Sequence, residues 1–503
     1  MNKRMQETIR KRKNKISKRL KNIHEETNSP MMNTGMSSFD ISEKISAIHC
    51  GGIGLVNELV NALKLPQRIN SQLQLLQRRK PYYESDHVLN IAYNIICGGK
   101  NLEDIELLRN NEPYLNALGA TRIPDPTTAG DFLRRFQEKD VHSLMDIIND
   151  TNVIVWKKAL KKKNRDYAIL DIDGKIQETT GECKEKMDIA YTGVWGFSTL
   201  VMTEATTGAH LFVVNRPGNA LSQEGAAEWM DKGIDVALKS FNRVCLRGDS
   251  AFSLTKKFDE WDDRGAHFIF GYDAVQNLVK IADNLRKNEW VRVEKPCVER
   301  KGKPRKKKPR VKKAAVVRRE YRSLTKKEEY CAEFSYSPTK CKKEYRVIVL
   351  KQISAVSEGQ TRLFDEYRYF FYITNIKDVS PVDLLKLIRG RCNHENKIEQ
   401  LDNGVHALKM PAAEFMANWA YMTICMLAWN LKSWIALLLN DKKKSSKLIA
   451  CEFKRFQNTI INIPSQILCT GRRIVYRFLN YNSWIFAIFD LWRKLKLIRF
   501  SFT

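Results

Sequence analysis

The sequence predicts an α/β protein in which a mixed five-stranded sheet with helices carries a β-rich insertion and is flanked by helical regions. Three observations lead to this fold class. Apolar residues follow a helical period up to about residue 155, and the period changes to the alternation of strands between 160 and 275. Between 276 and 376 further strand-like runs surround a strongly basic stretch, and helical spacing returns after residue 377.

The net charge of +29 is concentrated in three segments. Residues 1–22, 300–327 and 441–503 carry +9, +14 and +10, so the rest of the chain is slightly acidic. Because each phosphate contact by Lys or Arg releases condensed counterions, separate basic segments on a near-neutral body are typical of nucleic-acid binding. Solvated charged tails and an anionic membrane surface are the alternatives.

The cysteines and the apolar runs argue against other classes. Eleven cysteines occur without a Cys-x-x-Cys pair, which predicts reduced thiols and no structural zinc. The N-terminus is polar rather than signal-like, so we expect a bacterial cytoplasmic protein. The most apolar run, 419–429, is about half the length that a membrane span requires, and we interpret it as a buried helix.

The first 155 residues are predicted to be mainly helical. Residues 1–30 are polar and basic, so we expect a frayed helix or an arm that becomes ordered on DNA. Runs such as 53–63 and 88–96 fit the 3.6-residue period. After a turn, Thr128 and Asp131 are placed as a capping box for the following helix. This domain is expected either to bind DNA ends or to act as a scaffold.

Strands and helices then follow in an informative order. Three strands are predicted first, over 167–173, 197–202 and 210–215. A helix over 222–240, a strand over 243–247, a helix over 254–263 and a fifth strand over 266–270 follow. This order is that of an RNase H-like core, in which the first and fourth strands lie side by side. Beyond it, the strand-like runs 290–293, 329–336, 344–350 and 367–373 predict an inserted sheet.

Helices are expected to resume at Ser380, with Pro381 in the first turn and Asp383 contributing to the cap. The tail after residue 440 is predicted to be helical, basic and rich in aromatic residues. Six regions are predicted. Residues 1–35 form a basic arm without fixed structure in the absence of DNA, 36–155 a helical N-terminal domain, and 160–275 the first part of the core. Residues 276–376 form the basic β-rich insertion, 377–440 the core helices with a candidate Glu, and 441–503 a basic helical C-terminal region.

Two acidic segments lie on predicted strands. Asp171 and Asp173 are two residues apart, so both side chains point to one face of the strand. Buried carboxylates are costly unless they bind a metal or accept hydrogen bonds. Asp249 follows Gly248, whose missing side chain allows a sharp turn or a close approach to a ligand. The alternative interpretation is that these aspartates cap turns or helices.

A third acidic segment lies on a predicted helix. Arg391, Glu395 and Glu399 recur every four residues and therefore share one helix face. A surface ladder of ion pairs is the commoner explanation of such spacing. If the first and fourth strands are neighbours, however, Asp173 and Asp249 lie close together, and a helix packed across them could supply Glu395.

Taken together, these segments resemble the DDE-type insertion-sequence transposases that carry a β-strand insertion between the second Asp and the Glu. The matching residues are Leu170-Asp171-Ile172-Asp173-Gly174, Arg216-Pro217-Gly218-Asn219, Leu246-Arg247-Gly248-Asp249-Ser250-Ala251-Phe252 and Arg391-x-x-x-Glu395-Asn396-x-Ile398. Two family positions differ: Ile388 stands where a Tyr is frequent, and Asp402 where a Lys contacts phosphate. Lys397 and Lys409 are the candidate substitutes for that Lys.

The resemblance implies a catalytic and metal-binding triad of Asp173, Asp249 and Glu395, with Asp171 and Glu399 as the alternatives. Oxygen ligands of this kind favour Mg²⁺, with Mn²⁺ as a substitute. The implied reaction is Mg-dependent strand cleavage followed by strand transfer, without ATP or another nucleotide cofactor. A structure-selective nuclease or resolvase, or an inactive DNA-binding derivative, is the alternative.

The implied partners are double-stranded DNA, as the inverted repeats of the element and as target, and a second copy of the chain in a synaptic complex. No membrane partner is expected, and the cytoplasmic location would be at the nucleoid. The candidate DNA contacts are Arg391, Lys397, Lys306, Lys307, Arg310 and Trp290. Aromatic residues of the insertion, including Trp290, could stack on an unpaired base or simply pack in the inserted sheet.

Overall fold

The computed structural model describes residues 3–21, 37–38, 45–79, 81–294, 323–358, 366–471 and 473–502. The chain is a mixed α/β protein. Its helices are α1 Lys3–Lys21, α2 Ile53–Ala62, α3 Leu65–Gln72, α4 Glu84–Cys97, α5 Ile105–Arg109, α6 Glu112–Leu118, α7 Pro126–Leu133, α8 Glu138–Ala159, α9 Ala226–Leu238, α10 Thr255–Asp263, α11 Gln276–Asn284, α12 Pro381–Arg389, α13 Cys392–Glu399, α14 Phe415–Leu438, α15 Lys442–Ala450, α16 Phe453–Phe456 and α17 Ile485–Leu497. Its strands are β1 Ala47–Ile48, β2 Tyr167–Glu178, β3 Asp188–Ile189, β4 Trp195–Glu204, β5 His210–Val214, β6 Arg243–Gly248, β7 His267–Tyr272, β8 Val291–Arg292, β9 Ser323–Tyr336, β10 Tyr345–Glu358, β11 Glu366–Thr374, β12 Ser465–Thr470 and β13 Arg473–Phe478.

The chain divides into two compact units. The first unit consists of Met1–Arg165, Lys175–Ala220 and Asn396–Thr503, and the second of Asp166–Gly174 and Leu221–Glu395. Strand β2 therefore begins in the second unit and ends in the first.

Helix α14 forms the centre of the first unit. Almost every side chain between Phe415 and Leu438 is buried, as expected for the apolar run 419–429. Among the described residues this is the one helix long and apolar enough to cross a membrane, and it is fully enclosed by the protein. The Trp419 indole donates a hydrogen bond to the Val213 carbonyl at 2.8 Å, which ties α14 to β5. Strand β5 in turn pairs antiparallel with β4.

The ends of the first unit agree with the sequence-based expectation only in part. Residues 3–21 form helix α1, one of the two alternatives for this segment, with Ile9 buried and Arg12 bonded to the Phe478 carbonyl at 2.7 Å. Residues 22–36 lie outside the described residues. The prediction of an all-helical tail was wrong, because β12 and β13 form an antiparallel hairpin with β1 on its edge. Gly471, with φ of +52°, lies in the turn of this hairpin.

The predicted capping box at Thr128 and Asp131 was also wrong. Helix α7 begins at Pro126, and its N-cap is Asp125, whose carboxylate accepts a hydrogen bond from the Thr128 amide at 2.8 Å. Asp131 instead pairs with Arg134. Proline fits the first helical position because its missing N–H would have no partner there, which favours the earlier start.

The second unit is built on a large mixed sheet in the order β2, β6, β7, β11, β10, β9, β8. The first two pairings are parallel, and the four that follow are antiparallel. The expectation that the first and fourth strands of the core are neighbours is confirmed by the β2–β6 pairing. The predicted strands of the insertion are also present and continue this sheet, whereas the basic run 295–322 between them lies outside the described residues.

Helix α12 packs on this sheet and closes a hydrophobic core. Its Ser380 N-cap accepts a hydrogen bond from the Asp383 amide, as the sequence suggested. The core joins apolar side chains of the helix to those of β6, β7, β9 and β10 and includes Cys245, Ile269, Cys331, Ile348, Leu350, Leu384, Leu385 and Ile388. This packing fixes the position of the helix end from which the next helix, α13, departs.

Candidate active site

The parallel pairing of β2 and β6 places two of the predicted acids beside each other. Asp171 is the Cα partner of Arg247, and each strand continues for two more residues to an aspartate. Asp173 and Asp249 therefore leave neighbouring strands at the same level. This proximity depends on the register of the two strands and lies within the second unit.

Asp173 is largely buried and already has defined partners. Its Oδ1 accepts a hydrogen bond from the Gly174 amide at 2.8 Å, and its Oδ2 accepts one from the Arg391 guanidinium at 2.8 Å. Burial raises the pKa of Asp173; the Arg391 charge opposes that rise, and the Asp249 carboxylate adds to it. The Arg391 cation beside this carboxylate therefore favours its anionic form.

The two carboxylate oxygens of Asp249 have different surroundings. Its Oδ1 caps the short 3₁₀ helix Ser250–Phe252 by accepting a hydrogen bond from the Ala251 amide at 3.0 Å. Its Oδ2 lies 4.0 Å from the Arg391 guanidinium. A Cβ on Gly248 would lie 3.1–3.3 Å from Phe252, Ile172 and Phe270, so this glycine permits close packing beneath the aspartate. The cap and the candidate catalytic role are compatible, because they use different oxygens.

Glu395 is delivered by helix α13, as the spacing of acids predicted. Its Oε1 lies 3.7 Å from Nη2 of Arg391, four residues earlier. The side chain is 61% exposed, so the carboxylate is free to change rotamer. The Arg391 guanidinium thus lies within 4.0 Å of Asp173, Asp249 and Glu395. One cationic group is the point on which the three predicted acids converge.

Asp171 has a different environment. It is 1% exposed and forms a two-pronged ion pair with Arg247, with Nε to Oδ1 at 2.5 Å and Nη2 to Oδ2 at 3.0 Å. The third nitrogen of Arg247, Nη1, donates to the Leu387 carbonyl in helix α12. Both oxygens of Asp171 are therefore engaged, and Asp173 is the acid of this strand that faces the other two.

The donor chemistry of the triad suits a divalent metal, although the side chains are held by an arginine. Carboxylate oxygens are the ligands that Mg²⁺ and Mn²⁺ prefer. Within the described residues, no three His, Cys, Asp or Glu side chains stand close enough together to share one ion. Asp173, Asp249 and Glu395 instead surround the Arg391 guanidinium, so their carboxylates would have to move closer together to hold one ion.

The predicted DNA contacts have separate outcomes. Lys306, Lys307 and Arg310 lie outside the described residues. In the first unit, the Lys397 ammonium donates to the Thr203 hydroxyl at 3.5 Å and to two carbonyls, of Glu204 and Ala205, at 3.3 Å. This lysine is therefore committed to the loop after β4, and its predicted phosphate contact stays a prediction.

Trp290 lies in a cluster of aromatic rings on the insertion. Its ring stacks on Tyr369 with centroids 6.0 Å apart, and the Lys351 ammonium lies 5.6 Å from the Trp290 centroid and 4.4 Å from that of Tyr367. Tyr367 is 52% exposed. The predicted residue thus takes part in sheet packing and also borders an exposed, positively charged aromatic surface.

A basic pocket of about 620 Å³ in the first unit contains the other candidate phosphate contact, Lys409. Lys100, Lys454 and His406 also line it, together with glycine, asparagine and glutamine residues. Burial lowers the pKa of His406, and the charges of Lys409 and Lys100 lower it further, while Asp402 and Asp104 oppose that fall. The pocket lining is therefore basic, with part of its charge offset by nearby aspartates.

Sequence reasoning did not single out Arg247. It lies inside a matched motif, but its bonds to Asp171 and to the Leu387 carbonyl depend on the contact between strand β6 and helix α12. One signal was present: Asp171 precedes Asp173, and Arg247 precedes Asp249, by the same two residues on strands predicted to be neighbours. Residues at the same distance from a paired position on two neighbouring parallel strands lie side by side.

Comparison with known proteins agrees with the motifs. Residues 45–498 match the family described as transposase DDE domain group 1. No curated protein matches the chain. Among solved structures, one match is the cryo-EM structure of the piggyBac transposase synaptic complex with hairpin DNA, with 9% sequence identity, 82% of this chain and 81% of that chain covered, and a TM-score of 0.34.

Proposed function

The chain belongs to the transposase DDE domain family, group 1, and from this premise we propose that it cuts DNA at the ends of its own mobile element and joins the freed ends to target DNA. The observation that carries this proposal is the convergence of Asp173, Asp249 and Glu395 on the Arg391 guanidinium. The parallel strands β2, β6 and β7 with their connecting helices support an RNase H-like core.

In this proposal the three carboxylates hold the catalytic metal, with Mg²⁺ as the native ion and Mn²⁺ as a substitute. When bound, the metal lowers the pKa of an attacking water and stabilises the leaving 3′ oxygen. Asp173 and Asp249 are fixed donors, because backbone amides and neighbouring strands hold them. Glu395 is the exposed and adjustable donor.

Arg391 changes partner in this scheme. Without metal it neutralises part of the carboxylate charge, at 2.8 Å from Asp173. With a metal bound to the carboxylates, Arg391 would be available to contact the phosphate beside the scissile bond. Arginine suits this exchange, because its planar fork binds carboxylate and phosphate equally well.

The remaining DNA contacts are assigned from charge and accessibility. Lys409 is proposed as the phosphate contact in preference to Lys397, because its ammonium lines an open basic pocket and has one acidic neighbour, Asp402 at 3.9 Å. Trp290 with Tyr367 and Lys351 is proposed to contact DNA from the insertion. Lys306, Lys307 and Arg310 are proposed to add charge from the same insertion. Joining two element ends requires two sites, so the active assembly is a homodimer acting at the bacterial nucleoid.

The proposal is tested with the purified full-length chain, Mg²⁺, and a labelled duplex bearing the inverted repeat that flanks the gene. A supercoiled plasmid serves as target. Strand cleavage at the repeat end followed by appearance of label in the plasmid is the expected result. Cleavage without joining identifies a nuclease or resolvase instead, and binding without cleavage identifies an inactive DNA-binding derivative.

A further inference from the structure

The buried pair Asp171 and Arg247 connects every element of the candidate active site. Their Cα atoms are direct partners in the parallel β2–β6 pair, each two residues before a catalytic candidate. Arg247 also donates to the Leu387 carbonyl, in the last turn of α12. That turn lies four residues before Arg391 and eight before Glu395. A single guanidinium therefore contacts both strands and the helix that lead to the triad.

The geometry points to a positioning role: Asp171 and Arg247 hold the end of helix α12 in register with the two strands, so that Arg391 and Glu395 meet Asp173 and Asp249. This inference rests on the proposed function. It assigns no contact with substrate to either residue, because Asp171 is 1% and Arg247 4% exposed and their polar atoms face one another or the helix.

The hydrogen bonds of Arg247 fix the orientation of its guanidinium. Nε and Nη2 of Arg247 bind the two oxygens of Asp171, which fixes the plane of the guanidinium. The remaining Nη1 then points at one helix carbonyl, Leu387. Carbonyls in the last turn of a helix carry partial negative charge and lack a full set of amide donors, so a cation is favoured there. The pair thus places one donor at one position of the helix end.

Gly390 provides the space for this contact. A Cβ at this position would lie 2.6 Å from Nη1 of Arg247. The backbone of Gly390, with φ of −60°, is one that any residue adopts, so conformation does not require glycine here. The close approach of the Arg247 guanidinium does require a residue without a side chain. A second ion pair, Arg389 with Glu329 of β9 at 2.8 Å, holds the same helix end on the inserted sheet.

A nearby pair offers a matched control. Arg243 and Asp166 lie at the start of the same strand pair, with Nη2 2.5 Å from Oδ2, but they are 54% and 50% exposed. Their other described side-chain contacts are with Asn242 and the Tyr167 ring. Exposed ion pairs contribute little to stability. Any effect seen only with the buried pair therefore reflects its connection to helix α12.

The test replaces both members of the pair by apolar residues, Asp171→Leu with Arg247→Met, because a lone buried charge would unfold the protein whereas an apolar pair is often tolerated. The control is Asp166→Leu with Arg243→Met. Single-turnover cleavage of the inverted-repeat duplex and the Kd for that duplex are measured separately. We expect the cleavage rate of the buried-pair variant to fall by about a hundredfold, as a 1 Å misplacement would cause, with Kd unchanged within about threefold. The control should cleave at the wild-type rate.

A folded buried-pair variant that cleaves at the wild-type rate would overturn the inference. If this variant does not fold, Gly390→Ala takes its place: alanine favours a helix more than glycine does, so only displacement of Arg247 predicts a slower reaction. Wild-type cleavage in Gly390→Ala would equally contradict the positioning role.

Failure of the proposed function is recognised separately, because the wild-type chain would then either not cleave the repeat or cleave it without joining it to the plasmid. Amide hydrogen exchange still decides the positioning role in that case. Exchange over 388–395 should accelerate about tenfold in the buried-pair variant, while the strands 167–173 and 243–248 keep their protection. Unchanged exchange over 388–395 would overturn the inference.

Discussion

The Nη1 atom of Arg391 lies 2.8 Å from the Oδ2 atom of Asp173, and the same guanidinium is within 4.0 Å of Asp249 and Glu395. An arginine thus stands where three acids would otherwise repel one another. The guanidinium offsets the charge of the acids, and in the proposed function it would compete with a metal for the same oxygens.

Removing the arginine should tighten metal binding to the DNA-free protein. In Arg391→Gln the carboxylate of Asp173 loses its cationic partner, and a partly buried ion pair of this kind contributes roughly 1 kcal/mol. We therefore expect the Kd for Mn²⁺, measured by titration calorimetry, to fall by about fivefold. DNA cleavage should decrease in the same variant, because the proposed phosphate contact is lost.

Lys386→Gln is the control for metal binding, since Lys386 lies on the preceding helix and forms an exposed ion pair with Asp383 instead. Its affinity for Mn²⁺ should equal that of the wild-type chain. Unchanged or weaker Mn²⁺ binding in Arg391→Gln would show that the guanidinium and the metal do not compete.

The choice between the two glutamates of helix α13 is tested by neutralising each. Glu395 lies 3.7 Å from Arg391 and is the proposed ligand. Because a catalytic metal supplies several kcal/mol of transition-state stabilisation, Glu395→Gln should slow single-turnover cleavage by about a thousandfold. Glu399→Gln, one helical turn further on, should cleave at the wild-type rate. The reverse pattern would assign the site to Glu399.

Much of the core could be predicted from the sequence, because its elements are set by local periodicity. The alternation in 167–173 and 243–247 identified β2 and β6, and their adjacency is confirmed by the parallel pairing. The spacing of Asp171 and Asp173 also predicted a shared strand face. It could not predict which of the two is engaged by Arg247, since that depends on a register between segments 76 residues apart.

Other features escaped prediction because two local patterns competed. At the start of α7 both Asp125 and Thr128 are good N-caps, and Pro126 decides for the earlier one. In the tail, basic and aromatic residues suggested a helix. The turn at Gly471 and the β-prone residues Ile474, Val475 and Tyr476 after it are a hairpin signal, and pairing with β1 completes this small sheet.

Substitutions of Lys409 and Lys397 should have different effects, because Lys409 is the proposed DNA contact and Lys397 has a structural role. Lys409→Ala removes a charge from the open pocket, so it should weaken binding to duplex DNA and reduce the slope of log Kd against log salt by about 0.9. Lys397→Met removes an ammonium that is bonded to Thr203, Glu204 and Ala205, so it should lower the Tm by about 3 °C instead. Salt-dependent binding and thermal unfolding are measured for both. A changed salt slope in Lys397→Met alone would assign the phosphate contact to Lys397.

His87 should make the first unit sensitive to mild acid. Its ring is 3% exposed and stacks on Phe132 with centroids 4.4 Å apart. Burial lowers the pKa of His87 to about 4, and the charge of Arg135 contributes to that fall. Between pH 6.5 and 4 the unfolded chain therefore binds a proton that the folded chain does not, and the free energy of unfolding decreases as the pH falls.

The expected loss is about 2 kcal/mol between pH 6.5 and 5, from 1.4 kcal/mol per pH unit. His87→Phe keeps an aromatic ring against Phe132 and removes the titrating group, so its Tm should fall less between pH 7 and 5 than that of the wild-type chain. The exposed His49 of the same unit provides the matched substitution, His49→Phe, which should retain the wild-type dependence of Tm on pH. Equal pH dependence in His87→Phe and the wild type would mean that other groups set the acid sensitivity of this unit.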